Sequence, residues 1–286
     1  MSINGIWVPL ITPFKEGKVD FESYERLIEH YIGEGVHGIM PVATTGETPT
    51  LSENEYEEIV AKSMEIVNGR IPVIIGLGGN NTKAVIEKLK MAEKHKVDGI
   101  LSVSPYYNRP DQRGIYEHFN AISQSTDLDI MLYNIPYRTG RNMENETLFR
   151  LAEKENIIGV KDASGDFNNT IDLLLNRPEG FSVLSGEDNW FYSLLVLGGD
   201  GGIMASAHLS TKDYIKVYND IKGNDHRSAL KTWKELSKFI PLLFKEPNPT
   251  PIKYILEQKG LIDSGEVRLP LVEITEGLKK ELEFLI

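Results

Sequence analysis

The chain contains no cysteine. Disulfides, thiolate-ligated metal ions and a cysteine nucleophile are therefore excluded outright. No apolar run approaches the ~18 residues that a membrane-crossing helix needs. The opening segment MSINGIWVPLITPF shows neither the basic stretch nor the cleavage site of a secretory signal, so a cytoplasmic enzyme or binding protein is expected. Positive charge is scarce: 31 lysines and arginines face 42 acidic residues, a net charge of −11. That balance argues against a nucleic-acid backbone or an anionic membrane as partner. The 6 histidines include no i, i+4 pair that one helix face could offer to zinc. Neither a low-complexity linker nor a basic tail interrupts the sequence.

What is there is an ordinary globular composition, 41% hydrophobic and 26% charged over 286 residues. That is enough chain for a large core in one or two domains. Short apolar runs alternate with longer amphipathic ones. Gly5–Ile11 precedes a helical pattern over Asp20–Gly35, with Tyr24, Leu27, Ile28, Tyr31 and Ile32 on one face. Asp20 suits its N-cap and Gly35 its stop. Gly38–Val42 precedes Ser52–Val67, which opens on a capping box of Ser52 and Glu55. Val73–Leu77 precedes Asn81–His95, Gly99–Val103 precedes Gln112–Ser125, and Asp129–Asn134 precedes Glu144–Lys154. Ile157–Gly165 precedes Phe167–Leu175, Phe181–Ser185 precedes Asn189–Leu197, and Gly202–Ala205 precedes Thr211–Ile221.

Strands alternating with helices predict a parallel sheet, and eight near-equal units in about 220 residues predict a (β/α)8 barrel of the α/β class. A doubly wound open sheet is the alternative that the near-equal repeats disfavour. Residues 1–223 read as the barrel. Residues 224–286 read as a C-terminal helical region, broken at Pro247-Asn248-Pro249-Thr250-Pro251.

The segment Ile157–Gly165, IIGVKDASG, draws attention first. It is a strand suited to burial on both faces, and it ends on a lysine. A buried ammonium is costly unless paired or deprotonated, and a desolvated lysine attacks ketones to form a Schiff base. The blander account of Lys161 is a lysine that snorkels from an edge strand. In a barrel, chemistry belongs to the C-terminal strand ends and the loops after them. Those ends carry Thr44-Thr45-Gly46, Ser104-Pro105-Tyr106-Tyr107, Tyr133-Asn134-Ile135-Pro136-Tyr137-Arg138, Lys161-Asp162, Ser185-Gly186-Glu187-Asp188 and Met204-Ala205-Ser206.

Thr44 and Thr45 offer hydroxyls and N–H groups to a small carboxylate, or else form a hydrogen-bonded turn. Tyr133 can pass protons if its neighbours lower its pKa from about 10, or else satisfy one buried hydrogen bond. Arg138 is either a solvated loop residue or a planar fork for a second carboxylate. Gly76-Leu77-Gly78-Gly79-Asn80-Asn81 follows a strand but breaks the dinucleotide fingerprint at Asn81, so it reads as a plain turn. Gly198-Gly199-Asp200-Gly201-Gly202 precedes its strand, the wrong order for a phosphate cradle. Asn145-Glu146-Thr147 fits the glycosylation triplet, which means nothing without secretion.

Together, Ala43-Thr44-Thr45-Gly46-Glu47, Tyr133-Asn134-Ile135-Pro136 and Gly159-Val160-Lys161-Asp162 resemble the signature segments of the dihydrodipicolinate synthase/N-acetylneuraminate lyase family. These are class I, Schiff-base aldolases on a (β/α)8 barrel, and the similarity runs over nearly the whole chain. Ala43 stands where most members have glycine, which narrows the turn slightly. Arg138 in YNIPYRTG, Glu246-Pro247-Asn248-Pro249 and Tyr106-Tyr107 look like the synthase branch; sugar-acid lyases usually lack the arginine.

The resemblance implies condensation of pyruvate with L-aspartate 4-semialdehyde to 4-hydroxy-tetrahydrodipicolinate, the first committed step of lysine and diaminopimelate biosynthesis. It implies Lys161 as the imine-forming residue, with Tyr133, Thr44 and Tyr107 as a hydroxyl relay. Thr45 would hold the pyruvate carboxylate and Arg138 that of the semialdehyde, while Gly186 and Ile203 would line the imine pocket. No metal or organic cofactor is implied. A homodimer or, as a dimer of dimers, a homotetramer is implied, with Tyr107 completing a neighbour's site. Rival readings are a related pyruvate-dependent aldolase acting on a sugar acid or a 4-hydroxy-2-oxo acid, and a non-catalytic oxo-acid sensor.

Many synthases of this family are inhibited by lysine at the dimer interface. Asn80 and Tyr106 match that site. Glu53 and Tyr56 stand where ring-bearing residues are common, Pro49 also alters the wall, and Ala84 stands where a glutamate holds the ligand's ammonium. Insensitivity to lysine is therefore expected, unless Glu53 stands in for the missing carboxylate.

Overall fold

The computed structural model describes residues 3–286. Its strands, in chain order, are β1 (Gly5–Val8), β2 (Phe14–Lys15), β3 (Lys18–Val19), β4 (Gly38–Ile39), β5 (Ile74–Gly76), β6 (Gly99–Val103), β7 (Asp129–Asn134), β8 (Ile157–Asp162), β9 (Ser182–Ser185) and β10 (Gly201–Ile203). Eight of these are hydrogen-bonded in the order β4-β1-β10-β9-β8-β7-β6-β5, and a parallel bridge joins Ile39 to Val73. The eight parallel strands are those expected from the sequence.

Several are shorter than their apolar runs. Pro9 and Pro41 have no N–H to give, so β1 and β4 stay short as regular strands. The Met40 N–H still reaches the Val8 carbonyl at 2.9 Å, and the Leu10 N–H the Met40 carbonyl at 3.1 Å. The antiparallel hairpin β2–β3, turning through Glu16 and Gly17 at φ 52 and 77, adds two strands beyond those the apolar runs predict. Two-residue strands are too short to show a period.

By backbone contacts the chain falls into two compact units, Met1–Gly5 with Ile74–Ile203, and Ile6–Val73 with Met204–Ile286. In the first, β7, β8 and β9 pair in register, Tyr133 with Lys161 and Lys161 with Leu184. All six residues of β8 are buried, as its apolar run demands.

In the second unit the helix Phe21–Glu34 starts and stops as its sequence dictates. Asp20 accepts the N–H of Ser23, and Gly35 adopts φ 88 to return its N–H to the last turn. The helix Glu53–Val67 opens on the reciprocal bonds of Ser52 and Glu55. The C-terminal region supplies the helices His226–Phe239, Thr250–Gln258 and Glu276–Leu282.

That region also provides a buried ion pair. Lys253, fully buried, donates to the Glu47 carboxylate, which is itself 2% exposed. The same ammonium donates to the carbonyl of Glu266 at 2.8 Å and lies 4.2 Å from the centroid of the Phe14 ring. The other Glu47 oxygen accepts the Arg268 N–H at 3.0 Å. Arg268 is in turn held by both oxygens of Glu55. Two desolvated charges are tolerable here because each is multiply hydrogen-bonded. Lys253→Met strands the Glu47 carboxylate and should cost about 3–5 kcal/mol. The double variant Lys253→Met/Glu47→Gln should recover most of that loss. Urea unfolding of the three proteins checks this; equal losses in single and double variants would show that packing, not charge, is what Lys253 provides.

Candidate active site

Lys161 is next to last in β8 and only 7% exposed. Burial lowers its pKa from 10.5 to about 8; the charges of Asp188 and Glu187 oppose that drop, and Arg138 adds to it. Its Nζ lies 4.4 Å from the centroid of the Tyr133 ring, on the paired strand β7. This arrangement was legible only in part: the two residues end adjacent runs, but their side-by-side register needed the fold. Burial pushes the Tyr133 hydroxyl well up, not down. The lowered pKa expected from the sequence is therefore not found, and the buried hydroxyl stays neutral.

Gly186, just past β9, explains how the lysine fits. A Cβ there would lie 2.9 Å from Cγ and 3.0 Å from Cε of Lys161, and 3.0 Å from the Cβ of Ala163. Only glycine leaves that lane open. Its N–H donates to the carbonyl of Asp162 at 2.7 Å. Ile203 ends β10 and is buried.

Glu187 and Asp188, quoted from the sequence without a role, are the carboxylates that act on Lys161. Burial raises the Glu187 carboxyl to about 7, with the charge of Asp188 adding and that of Lys161 opposing. The signal was their position directly after Gly186.

Arg138 belongs to a short helical turn, Pro136–Thr139. It is exposed; its Nε donates to the Tyr137 hydroxyl at 3.0 Å, and its guanidinium carbon lies 5.1 Å from that ring's centroid. Tyr107 stands in a neighbouring loop at φ 71 with its side chain 91% exposed, so this chain does not pack it against buried Lys161. That loop is anchored on either side of Tyr107. Asn80 donates to the Tyr106 carbonyl at 3.1 Å, and Arg109 to the Gly140 carbonyl at 3.0 Å.

Thr44 and Thr45 lie in the second unit. They occupy a tight turn, Thr44–Gly46, bracketed by Val42 at φ 49 and Glu47 at φ 54. A β-branched residue in the left-handed region is strained by about 1–3 kcal/mol and persists only where its surroundings over-determine it. Those surroundings are bonds to the turn: Thr12 Oγ1 donates to the Gly46 carbonyl at 2.7 Å and Thr48 Oγ1 to the Ala43 carbonyl at 2.8 Å. Thr45 is buried, and its Oγ1 accepts from Asn248 Nδ2 at 3.0 Å. Thr44 is half-buried. Among the described residues no cluster of three His, Cys, Asp or Glu side chains could hold a metal ion.

A family profile described as the dihydrodipicolinate synthetase family matches residues 2–286. The chain belongs to this family. It is 62% identical over 282 residues to 4-hydroxy-tetrahydrodipicolinate synthase 2 of Clostridium acetobutylicum, covering 99% of each chain. It is similar to the solved dihydrodipicolinate synthase of Thermotoga maritima, at TM-score 0.97 and 37% identity over 100% of this chain and 98% of that one. It is also similar to the Acinetobacter baumannii dihydrodipicolinate synthase complexed with pyruvate, at TM-score 0.95 and 38% identity over 99% and 97%.

The fold is thus a (β/α)8 barrel with C-terminal helices, and the chain is a lyase with the aldolase function of lysine biosynthesis. Aldolases of this family are in general cofactor-free and act through a Schiff base.

Imine formation needs the neutral amine. With a pKa near 8, about a quarter of Lys161 is neutral at pH 7.5, against roughly one part in a thousand for an ordinary lysine. At fixed pyruvate, the rate of imine formation trapped with cyanoborohydride should be half-maximal near pH 8 and level off about one pH unit higher. A rise continuing to pH 10 would mean that Lys161 is not desolvated.

Proposed function

We propose that Lys161 forms the pyruvate imine in a condensation with L-aspartate 4-semialdehyde that yields 4-hydroxy-tetrahydrodipicolinate. The observation that carries this is a buried lysine with its pKa lowered to about 8 and its ammonium 4.4 Å from the Tyr133 ring centroid. Neutral Nζ attacks the ketone carbon, and loss of water leaves an iminium that withdraws electrons from the adjacent methyl. Loss of a methyl proton gives an enamine, whose carbon attacks the aldehyde. The amine of the adduct then displaces Lys161 and closes the ring.

Tyr133, Thr44 and Tyr107 carry the protons as a hydroxyl relay, on the strength of the motifs they occupy. Thr45 holds the pyruvate carboxylate, and Gly186 and Ile203 line the imine pocket. Arg138, with Nε already given to Tyr137, turns its terminal amino groups to the semialdehyde carboxylate.

The reaction needs no metal or organic cofactor, because the iminium supplies the electron sink. The outward Tyr107 side chain, 91% exposed, supports a homodimer or homotetramer in which it completes a neighbour's relay. Residues 1–223 are proposed as the barrel and 224–286 as its helical appendage. No described helix is long and apolar enough to cross a membrane. With a net charge of −11, this supports a cytoplasmic enzyme without nucleic-acid or membrane partners.

Borohydride with pyruvate should leave an adduct on Lys161, located by mass spectrometry, and Lys161→Ala should abolish it. Arg138→Ala should still form the imine yet lose condensation in a coupled assay by roughly tenfold to a hundredfold, the loss of one charge-assisted contact. An adduct on another lysine, or equal loss of imine and condensation in Arg138→Ala, would overturn the assignment.

Ala84, half-buried near the start of the helix Thr82–Lys94, brings only a methyl group to the proposed regulatory position. Initial rates should therefore be insensitive to L-lysine at physiological concentrations. Inhibition saturating below a millimolar would show that another carboxylate, with Glu53 the first candidate, has rebuilt that site.

A further inference from the structure

Two side chains of the C-terminal region reach the turn Ala43–Glu47, and they do different things. Lys253 neutralises Glu47, which is a matter of stability. Asn248 instead gives Nδ2 to the Thr45 hydroxyl at 3.0 Å, while its own Oδ1 is buried and unpaired. A buried amide with one end unsatisfied is a poor choice if its task is only to hold the turn.

The backbone nevertheless fixes it in place. The Thr250 N–H closes onto the Pro247 carbonyl at 2.9 Å, and the Glu246 carboxylate accepts both the N–H and the hydroxyl of Thr275. A threonine hydroxyl has one hydrogen and two lone pairs. With a lone pair engaged by Asn248, the hydrogen of Thr45 must point elsewhere, and the group is preset as a donor.

We propose that Asn248 is a positioning residue that sets the Thr45 hydroxyl as a hydrogen-bond donor to the carboxylate of the 2-oxo acid substrate. This rests on the reading of Thr45 given above and adds its polarity. An N–H donor to Thr45 is required, not merely a side chain of that size. The isosteric Asn248→Asp reverses the bond: a carboxylate takes the Thr45 hydrogen and also repels the substrate.

The test measures the pyruvate concentration that half-saturates imine trapping, together with the KM of each substrate and the thermal midpoint. Asn248→Asp should raise the half-saturating pyruvate concentration by about tenfold or more, the scale of one charge-assisted hydrogen bond. Asn248→Ala, which frees the hydroxyl to rotate, should raise it a few-fold. The semialdehyde KM should hardly move in either variant, nor the thermal midpoint in Asn248→Ala. The buried carboxylate of Asn248→Asp should lower the midpoint without touching the semialdehyde KM.

Thr45→Val should raise the pyruvate requirement by itself, and adding Asn248→Ala to it should change nothing further. If Thr45→Val binds pyruvate normally, the reading of Thr45 is wrong and the inference goes with it. If Thr45→Val is impaired but Asn248→Asp is not, the hydroxyl donates to Asn248 and the inference alone is overturned. A parallel rise in both KM values with a lowered thermal midpoint would make Asn248 a support of the fold, which also overturns it.

Discussion

The cost of burying an ammonium organises this structure. Lys161 lies next to last in a strand whose six residues are all buried, so little water reaches the side chain. Desolvation then does what no single neighbour could, lowering the pKa to about 8. The compensation is partial by design of the surroundings. Glu187 and Asp188 favour the charged form, and Arg138 disfavours it. Pairing does not reverse the effect of burial: Lys253, hydrogen-bonded to Glu47, is also lowered to about 8. The chain thus holds two buried lysines with similar downward shifts in different surroundings. Both lie over an aromatic ring, and Lys253 is in addition locked to a carboxylate by a direct hydrogen bond.

A residue this confined has no room for error, which is why the neighbouring backbone is so specific. Gly186 is needed because a methyl would meet the aliphatic stem of Lys161 at about van der Waals overlap. Tyr133 is set beside the lysine by strand register, a matter of backbone hydrogen bonds and not of loop conformation. Positions fixed by a ladder are more precise than positions fixed by a loop. Exposed side chains sit instead on irregular segments: Arg138 on a one-turn helix and Tyr107 on a loop pinned at Tyr106 and Arg109.

How much of this could be read from the sequence follows from the range of the interactions involved. β6 and β7 match their apolar runs residue for residue. β1 and β4 are cut short by prolines whose effect on pairing the apolar pattern does not display. The short turn carrying Arg138 lies inside what reads as a loop. Lys161 and Tyr133 stood out because they lie at the C-terminal ends of strands, and Thr45 because it lies in the loop after one. Asn248 and Lys253 did not, since they meet Thr45 and Glu47 across 203 and 206 residues of sequence. No local period encodes such a contact.

The same distance explains why the C-terminal region carries polar groups where an apolar surface would be cheaper. Val42 and Glu47 hold left-handed backbone on either side of the Thr44–Thr45 turn, strain that must be offset by contacts with direction. Apolar packing has none: it would fill the space beneath the turn without choosing among its conformations. A carboxylate shared between Lys253 and the Arg268 N–H, and an amide on the Thr45 hydroxyl, each accept only one geometry. A buried ion pair is weak evidence for stability, since well-packed apolar residues often match it. Here its use is to select one conformation of a strained turn, and the amide beside it selects one direction for a single hydroxyl hydrogen.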